Sequence, residues 1–235
     1  MYSRRVSSIR TRVREIIGDG RIIRVQRLVG PAARWNLTAL GRIYWTDKAG
    51  AHSYTPIYQQ YFRRLQYRPI TLLEIGIGGN ESPTWGGGSL RMWRDFFPRG
   101  QIHGVDIADK RISEPRIHVH RGDQSDQAFL RDLARQHGPF DIVIDDGSHI
   151  NAHIRTTFEV LFVDHVRSRG IYVIEDMGTA YYPECGGGAP RHPKTSVELV
   201  KDLVDDVNRN YWKGHVARPV SAVHVYEQLA LIEKA

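Results

Sequence analysis

From Ile70 onward the chain alternates short apolar runs with longer stretches of helical periodicity. Thr71-Leu-Leu-Glu-Ile-Gly76, Gln101-Ile-His-Gly-Val-Asp106, Arg116-Ile-His-Val-His120, the run closing at Asp145 and the run Ile171-Tyr-Val-Ile-Glu175 are all of strand length. Runs of Ile and Val with few polar breaks suit parallel strands covered on both faces. Between them, helices are expected at about 89–97, 126–136, 151–165 and 195–209. Such alternation is the signature of an α/β domain. Two closing strands, Ser221–Tyr226 and Leu229–Ile232, are separated by only two residues and should pair as a hairpin. The expected fold is therefore a doubly wound, mostly parallel sheet with one antiparallel strand near its edge. Residues 177–194 read as a long irregular loop of the kind that contacts substrates.

The front of the chain has a different texture. Val6, Ile9, Val13, Ile16 and Ile17 keep helical spacing with arginines between them; Gly18-Asp-Gly20 is expected to interrupt that helix and Gly30-Pro31 to end it. Residues 39–68 are dense in Tyr, Trp, His and Lys, and a helix should begin after Thr55 with Pro56 at its first position. Two readings are open here. Its aromatic residues pack on the core, or the segment is a lid with Lys48, His52 and Tyr54 facing a ligand. The organisation expected is an N-terminal helical extension and lid over 1–68 and a main domain over 69–235.

Composition narrows the class. A single cysteine, Cys185, excludes an internal disulfide framework. The net charge of +7 is concentrated in arginines between Arg4 and Arg27. Neither interleaved aromatics nor a nucleic-acid motif accompanies them, so no nucleic-acid partner is expected. The basic N-terminus is not followed by the apolar stretch of a signal peptide, and no run approaches the roughly 20 residues of a membrane span. A soluble, cytoplasmic protein is expected, and an exposed aromatic front would suit a homo-oligomer.

Candidate chemistry gathers at the strand ends, where open parallel sheets bind ligands. Asp145 and Asp146 end one apolar run, and Glu175 and Asp176 end another. Carboxylates so placed repel unless a cation lies between them. A hard divalent ion is the simplest remedy, with His149 three residues beyond Asp146 as a base; the plainer alternative is that these acids cap helices or face solvent. Which of Asp145 and Asp146 faces an ion depends on the strand pleat.

A glycine turn, Gly76-Ile-Gly78-Gly79, follows the first strand. Position 81 is Glu, so the Gly-x-Gly-x-x-Gly of a dinucleotide site is absent. Glu74 lies inside the strand where a methyltransferase turn has its acid, Asp106 ends the next strand within reach of ribose hydroxyls, and Asp123-Gln124 could read adenine. S-Adenosylmethionine is favoured over a nicotinamide cofactor. The candidate cofactor contacts are Glu74, Gly76, Gly78, Ser89, Asp106, Asp123, Gln124 and Tyr54. His118 and His120 share one strand face and read as packing or edge residues, and Cys185 as an ordinary loop thiol.

Leu73-Glu-Ile-Gly-Ile-Gly-Gly79, Gly87-Gly-Ser-Leu-Arg-Met-Trp93, Gly104-Val-Asp106, Gly122-Asp-Gln124, Asp145-Asp-Gly-Ser-His149 and Ile174-Glu-Asp176, taken together, resemble the bacterial metal-dependent sugar O-methyltransferases. The resemblance spans about residues 40–233. It implies a seven-stranded class I methyltransferase fold, a magnesium ion (Mg2+) on Asp146, Glu175 and Asp176, His149 as general base, and a sugar or oligosaccharide acceptor. Methylation of a catechol-like or other vicinal-oxygen molecule follows the same metal logic, and an RNA methyltransferase using the basic front is a further alternative.

Overall fold

The computed structural model describes residues 19–79, 82–211 and 218–235. Seven strands form one sheet: β1 (Thr71–Ile75), β2 (Gln101–Asp106), β3 (Ile117–Arg121), β4 (Phe140–Asp145), β5 (Val166–Ile174), β6 (Val220–Tyr226) and β7 (Leu229–Lys234). Their order is β3-β2-β1-β4-β5-β7-β6. The first five run parallel, while β7 is antiparallel to both β5 and β6. This is the class I methyltransferase arrangement, a Rossmann-like doubly wound sheet. The chain winds outward from β1 through β2 to β3, then returns to lay β4 on the other side. The carboxyl ends of β1 and β4 therefore flank the topological switch point, where such sheets open a crevice.

Strand alternation assigns each residue to a layer. Leu72, Ile102, Ile142 and Ile171 face one core, while Leu73, Val105, Val143 and Tyr172 face the other. The first is covered by α2 (Leu37–Ile43), α3 (Thr55–Phe62) and α4 (Gly88–Phe96); the second by α5 (Gln127–His137), α6 (Asn151–His165) and α7 (Ser196–Val207). Three of these helices begin where a side chain takes up their free amides. Asn36 accepts from Ala39 N, Asp126 from Ala128 N and Phe129 N, and Thr195 from Glu198 N. Asn151 performs a different service at the start of α6. Its amide donates to the carbonyls of Cys185 (2.9 Å) and Thr179 (3.3 Å) and accepts from Ser196 N (2.7 Å), fastening the loop after β5 to two helices.

Several boundaries differ from expectation. β5 begins at Val166 instead of Ile171, because its polar first half, Arg167-Ser-Arg, does not read as strand in the sequence. The first described helix, α1 (Asp19–Val29), contains Gly20 in its opening turn instead of breaking there; the run Val6–Ile17 lies outside the described residues. Residues 177–194 are not wholly irregular: short 3-10 turns span Met177–Tyr181 and Pro183–Cys185. None of the helices among the described residues is long and apolar enough to cross a membrane.

The aromatic segment before β1 is not a loose appendage. Leu37, Leu40, Tyr58 and Phe62 are fully buried in the same core as Leu72 and Ile102. The Phe62 ring packs against Tyr58 (5.1 Å between centroids), Trp93 (5.7 Å) and Phe97 (6.0 Å). Replacing Phe62 with Ala is expected to cost about 3–5 kcal/mol in urea unfolding. A cost under ~1 kcal/mol would mean that this segment is detachable from the sheet.

Candidate active site

The glycine turn is built for close approach. Gly76 sits at φ +81°, and a Cβ there would stand 2.0 Å from the carbonyl oxygen of Asp146, so the ends of β1 and β4 meet only because this residue is glycine. Gly78, also at positive φ, has open space where its Cβ would be. That space belongs to a cavity of about 360 Å³ lined by the turn, by Thr46–Lys48, by Ser89 and Arg91 of α4, by Ile22, Ile23 and Gln26 of α1, and by Asp146. Its size falls in the ~300–1,000 Å³ range of small-molecule sites.

Beside this cavity a buried cation organises the acids. Lys48 is 1 % exposed, and its Nζ lies 2.5 Å from Asp146 Oδ2, 2.8 Å from Glu175 Oε1 and 3.2 Å from Glu74 Oε1. Burial alone would lower its pKa, but the carboxylates outweigh that and push it well above the ordinary lysine value. In the other direction, burial pushes Glu74 up to about 7 against the pull of Lys48, and raises Asp146 and Glu175 as well. One ammonium facing three carboxylates leaves the site short of positive charge. Glu74 Oε1 faces the Lys48 ammonium at 3.2 Å, while its Oε2 accepts from Ser89 Oγ at 2.8 Å. Tyr58 OH donates to Glu175 at 2.5 Å and Tyr54 OH to Asp176 Oδ1 at 2.8 Å.

Asp146, His149 and Asp176 form the open side of this cluster. Each presents one ligand atom, and these atoms lie within 4.8 Å of one another. Opposite oxygen ligands of an octahedral magnesium ion are separated by about 4.2 Å, twice a bond of ~2.1 Å, so the two carboxylates stand close to the right span with the imidazole beside them. His149 and Asp176 both take left-handed backbone, at φ +59° and +52°. Non-glycine residues hold such conformations at a cost that recurs at functional sites. His149 Nε2 stands 3.6 Å from Asp176 Oδ2, and His52 Nδ1 approaches Asp176 Oδ1 at 3.5 Å from the other side. The turn between β6 and β7 steadies this end: Gln228 accepts from Gly178 N through its side chain (2.7 Å) and from Met177 N through its carbonyl (3.2 Å).

No family model matches the chain. The mycinamicin VI 2''-O-methyltransferase of Micromonospora griseorubida is 50% identical over 210 residues, covering 85% of this chain and 52% of that protein. The demethylmacrocin O-methyltransferase of Streptomyces fradiae is 49% identical over 214 residues, 86% of this chain and 54% of the relative. Among solved structures, the methyltransferase MycE from the mycinamycin biosynthetic pathway, in complex with Mg, SAH and mycinamycin VI, superposes with a TM-score of 0.82 at 50% identity, over 85% of this chain and 53% of that one. The chain is a homologue of the bacterial sugar O-methyltransferases. It spans about half the length of the curated relatives it matches.

Within this structure the sequence-derived residues divide into three groups. Asp146, Asp176 and His149 come together, and of the adjacent acids it is Asp146 that joins them. Asp145 points the other way, buried, accepting from Gln124 Nε2 (3.1 Å) and Tyr172 OH (3.3 Å). Glu175 is adjacent but turned inward to Lys48 and Tyr58, and Glu74 is spent on Ser89 and Lys48; Gly76, Gly78 and Ser89 line the cavity. The third group lies off the cavity. Asp106 ends β2 and accepts from Ile77 N (3.3 Å) and Ala108 N (2.9 Å); Asp123 is exposed and bonded to Ser125. Gln124 is buried, its oxygen taking Ser148 N at 2.6 Å and its amide bracing Asp145 and Thr157. Tyr54 reaches Asp176 instead of the glycine turn. His153 bonds Ser148 Oγ (2.9 Å) and is separated from His149 by the helix start at Asn151.

Sequence reasoning missed the part played by Tyr58, whose signal was its spacing one helical turn beyond Tyr54. It placed Lys48 in a lid without seeing that the excess of strand-end acids calls for a lysine. Asp145 supplies a test of these electrostatics. Burial raises its pKa from 3.8 to about 7. A carboxyl whose folded pKa is raised contributes stability below its unfolded pKa and loses it as pH rises through the folded value. Relative to wild type, Asp145→Asn should therefore gain up to about 1.4 kcal/mol per pH unit between pH ~4 and ~7 and level off above ~8. Unfolding curves across that range, in chelator, check it; parallel wild-type and variant profiles would refute it.

Proposed function

We propose that this chain is the catalytic part of an enzyme that moves a methyl group from S-adenosylmethionine to a hydroxyl of a sugar. The observation that carries this reading is that Asp146 serves two places at once. It lines the cavity under the glycine turn and belongs to the cluster with His149 and Asp176. A cofactor in the cavity and an acceptor at the cluster would share one boundary. The relatives support the same reading, since two of them are named as O-methyltransferases of a rhamnosyl-tetracenomycin and of L-olivosyl-oleandolide.

Bound in the cavity, S-adenosylmethionine would supply an electrophilic methyl group on sulfur, with Gly76, Gly78 and Ser89 lining its place. Magnesium, carried by Asp146 and Asp176 with Glu175 beside them, would supply positive charge and open positions for oxygen. His149 is the base. Its Nε2 would take the proton that the acceptor hydroxyl must lose when it is methylated. Asp176, 3.6 Å from that nitrogen, stabilises the imidazolium that results. Lys48, Tyr58 and Tyr54 hold the acids in place from the buried side. Tyr181 and Tyr182, exposed on the loop that follows Asp176, offer flat apolar surfaces that suit the face of a sugar ring.

The test is transfer from labelled S-adenosylmethionine to a panel of glycosides and glycosylated polyketides, with magnesium or with chelator. Turnover should vanish with chelator and return with magnesium. His149→Ala should lower kcat by about 10²–10⁴-fold, with cofactor affinity unchanged. Turnover indifferent to chelator would sink the metal assignment, and transfer to catechols but to no sugar would replace the acceptor class.

A further inference from the structure

Four histidines meet on the sheet face covered by α5. His103 of β2 pairs in register with His118 of β3, and His120 lies two residues further on the same face. His137 closes α5 above them. The rings of His103, His120 and His137 lie 4.7–5.4 Å apart between centroids. His103 Nδ1 is 3.1 Å from His120 Nε2, and ligand nitrogens of all three rings lie within 4.8 Å of one another. Among the described residues no carboxylate or carbonyl hydrogen-bonds to any of these three rings. His103 is only 6 % exposed, so its nitrogens face other imidazoles and little water.

We propose that His103, His120 and His137 bind a zinc-class transition-metal ion, tying the β2–β3 edge of the sheet to the last turn of α5. Tetrahedral zinc with nitrogen bonds of about 2.0–2.1 Å sets its ligands roughly 3.4 Å apart, near the 3.1 Å between His103 and His120 and inside the 4.8 Å that encloses all three nitrogens. Three imidazoles with no carboxylate select zinc, cobalt, nickel or copper over magnesium. Water supplies the fourth ligand, since His120 and His137 are half-exposed. The 3.1 Å contact between His103 Nδ1 and His120 Nε2 is a hydrogen bond in which one ring donates, so coordination through both nitrogens requires that ring to hold its proton on its other nitrogen. His118 stacks on His103 at 4.8 Å and is held by Gln101, which fixes its ring beside the site. The carboxylate cluster prefers hard ions, so the two sites separate by chemistry.

The experiment is a zinc titration of magnesium-saturated protein against a chromophoric chelator, repeated with cobalt to read the visible bands of nitrogen coordination. One zinc per chain is expected. His137→Ala and His120→Gln should each weaken it by about tenfold or more, whereas Asp146→Asn should leave it unchanged. Zinc should also raise the melting temperature of the wild type and not of His137→Ala, whose circular dichroism should stay native. Zinc binding unaffected by both histidine variants, or abolished by Asp146→Asn, would overturn the proposal, as would cobalt spectra without nitrogen ligation.

Discussion

Everything at the mouth of the sheet depends on one buried lysine. Lys48 brings its ammonium into the space between Asp146, Glu175 and Glu74, residues that arrive from the ends or interiors of β4, β5 and β1. Without a cation there, the buried carboxylates of Glu74 and Glu175 and the partly buried one of Asp146 would have to take up protons or let in water. With it, they stay close enough to serve a second, divalent charge at their open edge. The lysine also explains why the segment before β1 is folded into the domain: Tyr54, just ahead of α3, and Tyr58 within it bond to Asp176 and Glu175.

Sheet topology supplies the rest of the placement. Reversal of strand order between β1 and β4 leaves a crevice at their carboxyl ends, and glycine at position 76 lets the two ends touch. Asp146 then stands on the boundary between a cavity and a carboxylate–histidine cluster. Left-handed backbone at His149 and Asp176 turns both residues out of their strands toward that boundary. The buried Gln124 and Asn151 and the exposed Gln228 are what hold these turns: each bonds a different loop to the sheet or to a neighbouring helix.

Much of this was legible in the chain. Apolar runs located the strands, the two-residue gap at Glu227-Gln228 announced the hairpin, and acids at strand ends marked Asp146 and Asp176 because parallel topology sends such ends to one side. What was hidden depends on contacts between distant residues. Lys48 meets Asp146 across 98 positions and Glu175 across 127, and no local pattern encodes that. Gln124 resembles a cofactor contact by its place after β3, but its side chain turns inward to satisfy Asp145 and Ser148. The choice between Asp145 and Asp146 rested on the pleat, which only the register of β4 against β1 and β5 decides. His118 and His120 did lie on an edge strand, yet their meeting with His103 and His137 required the fold.

The central claim is that a single buried cation holds the acids of this site together. Its most direct test is the stability of Lys48→Met, measured by urea unfolding of the metal-free protein at pH ~7.5 and again near pH 5. Removing one partner of a buried ion pair typically costs about 3–5 kcal/mol. That loss is predicted at the higher pH, and it should shrink at the lower one as Glu74, Asp146 and Glu175 take up protons. A variant as stable as wild type at pH ~7.5, or a deficit that does not change with pH, would contradict it.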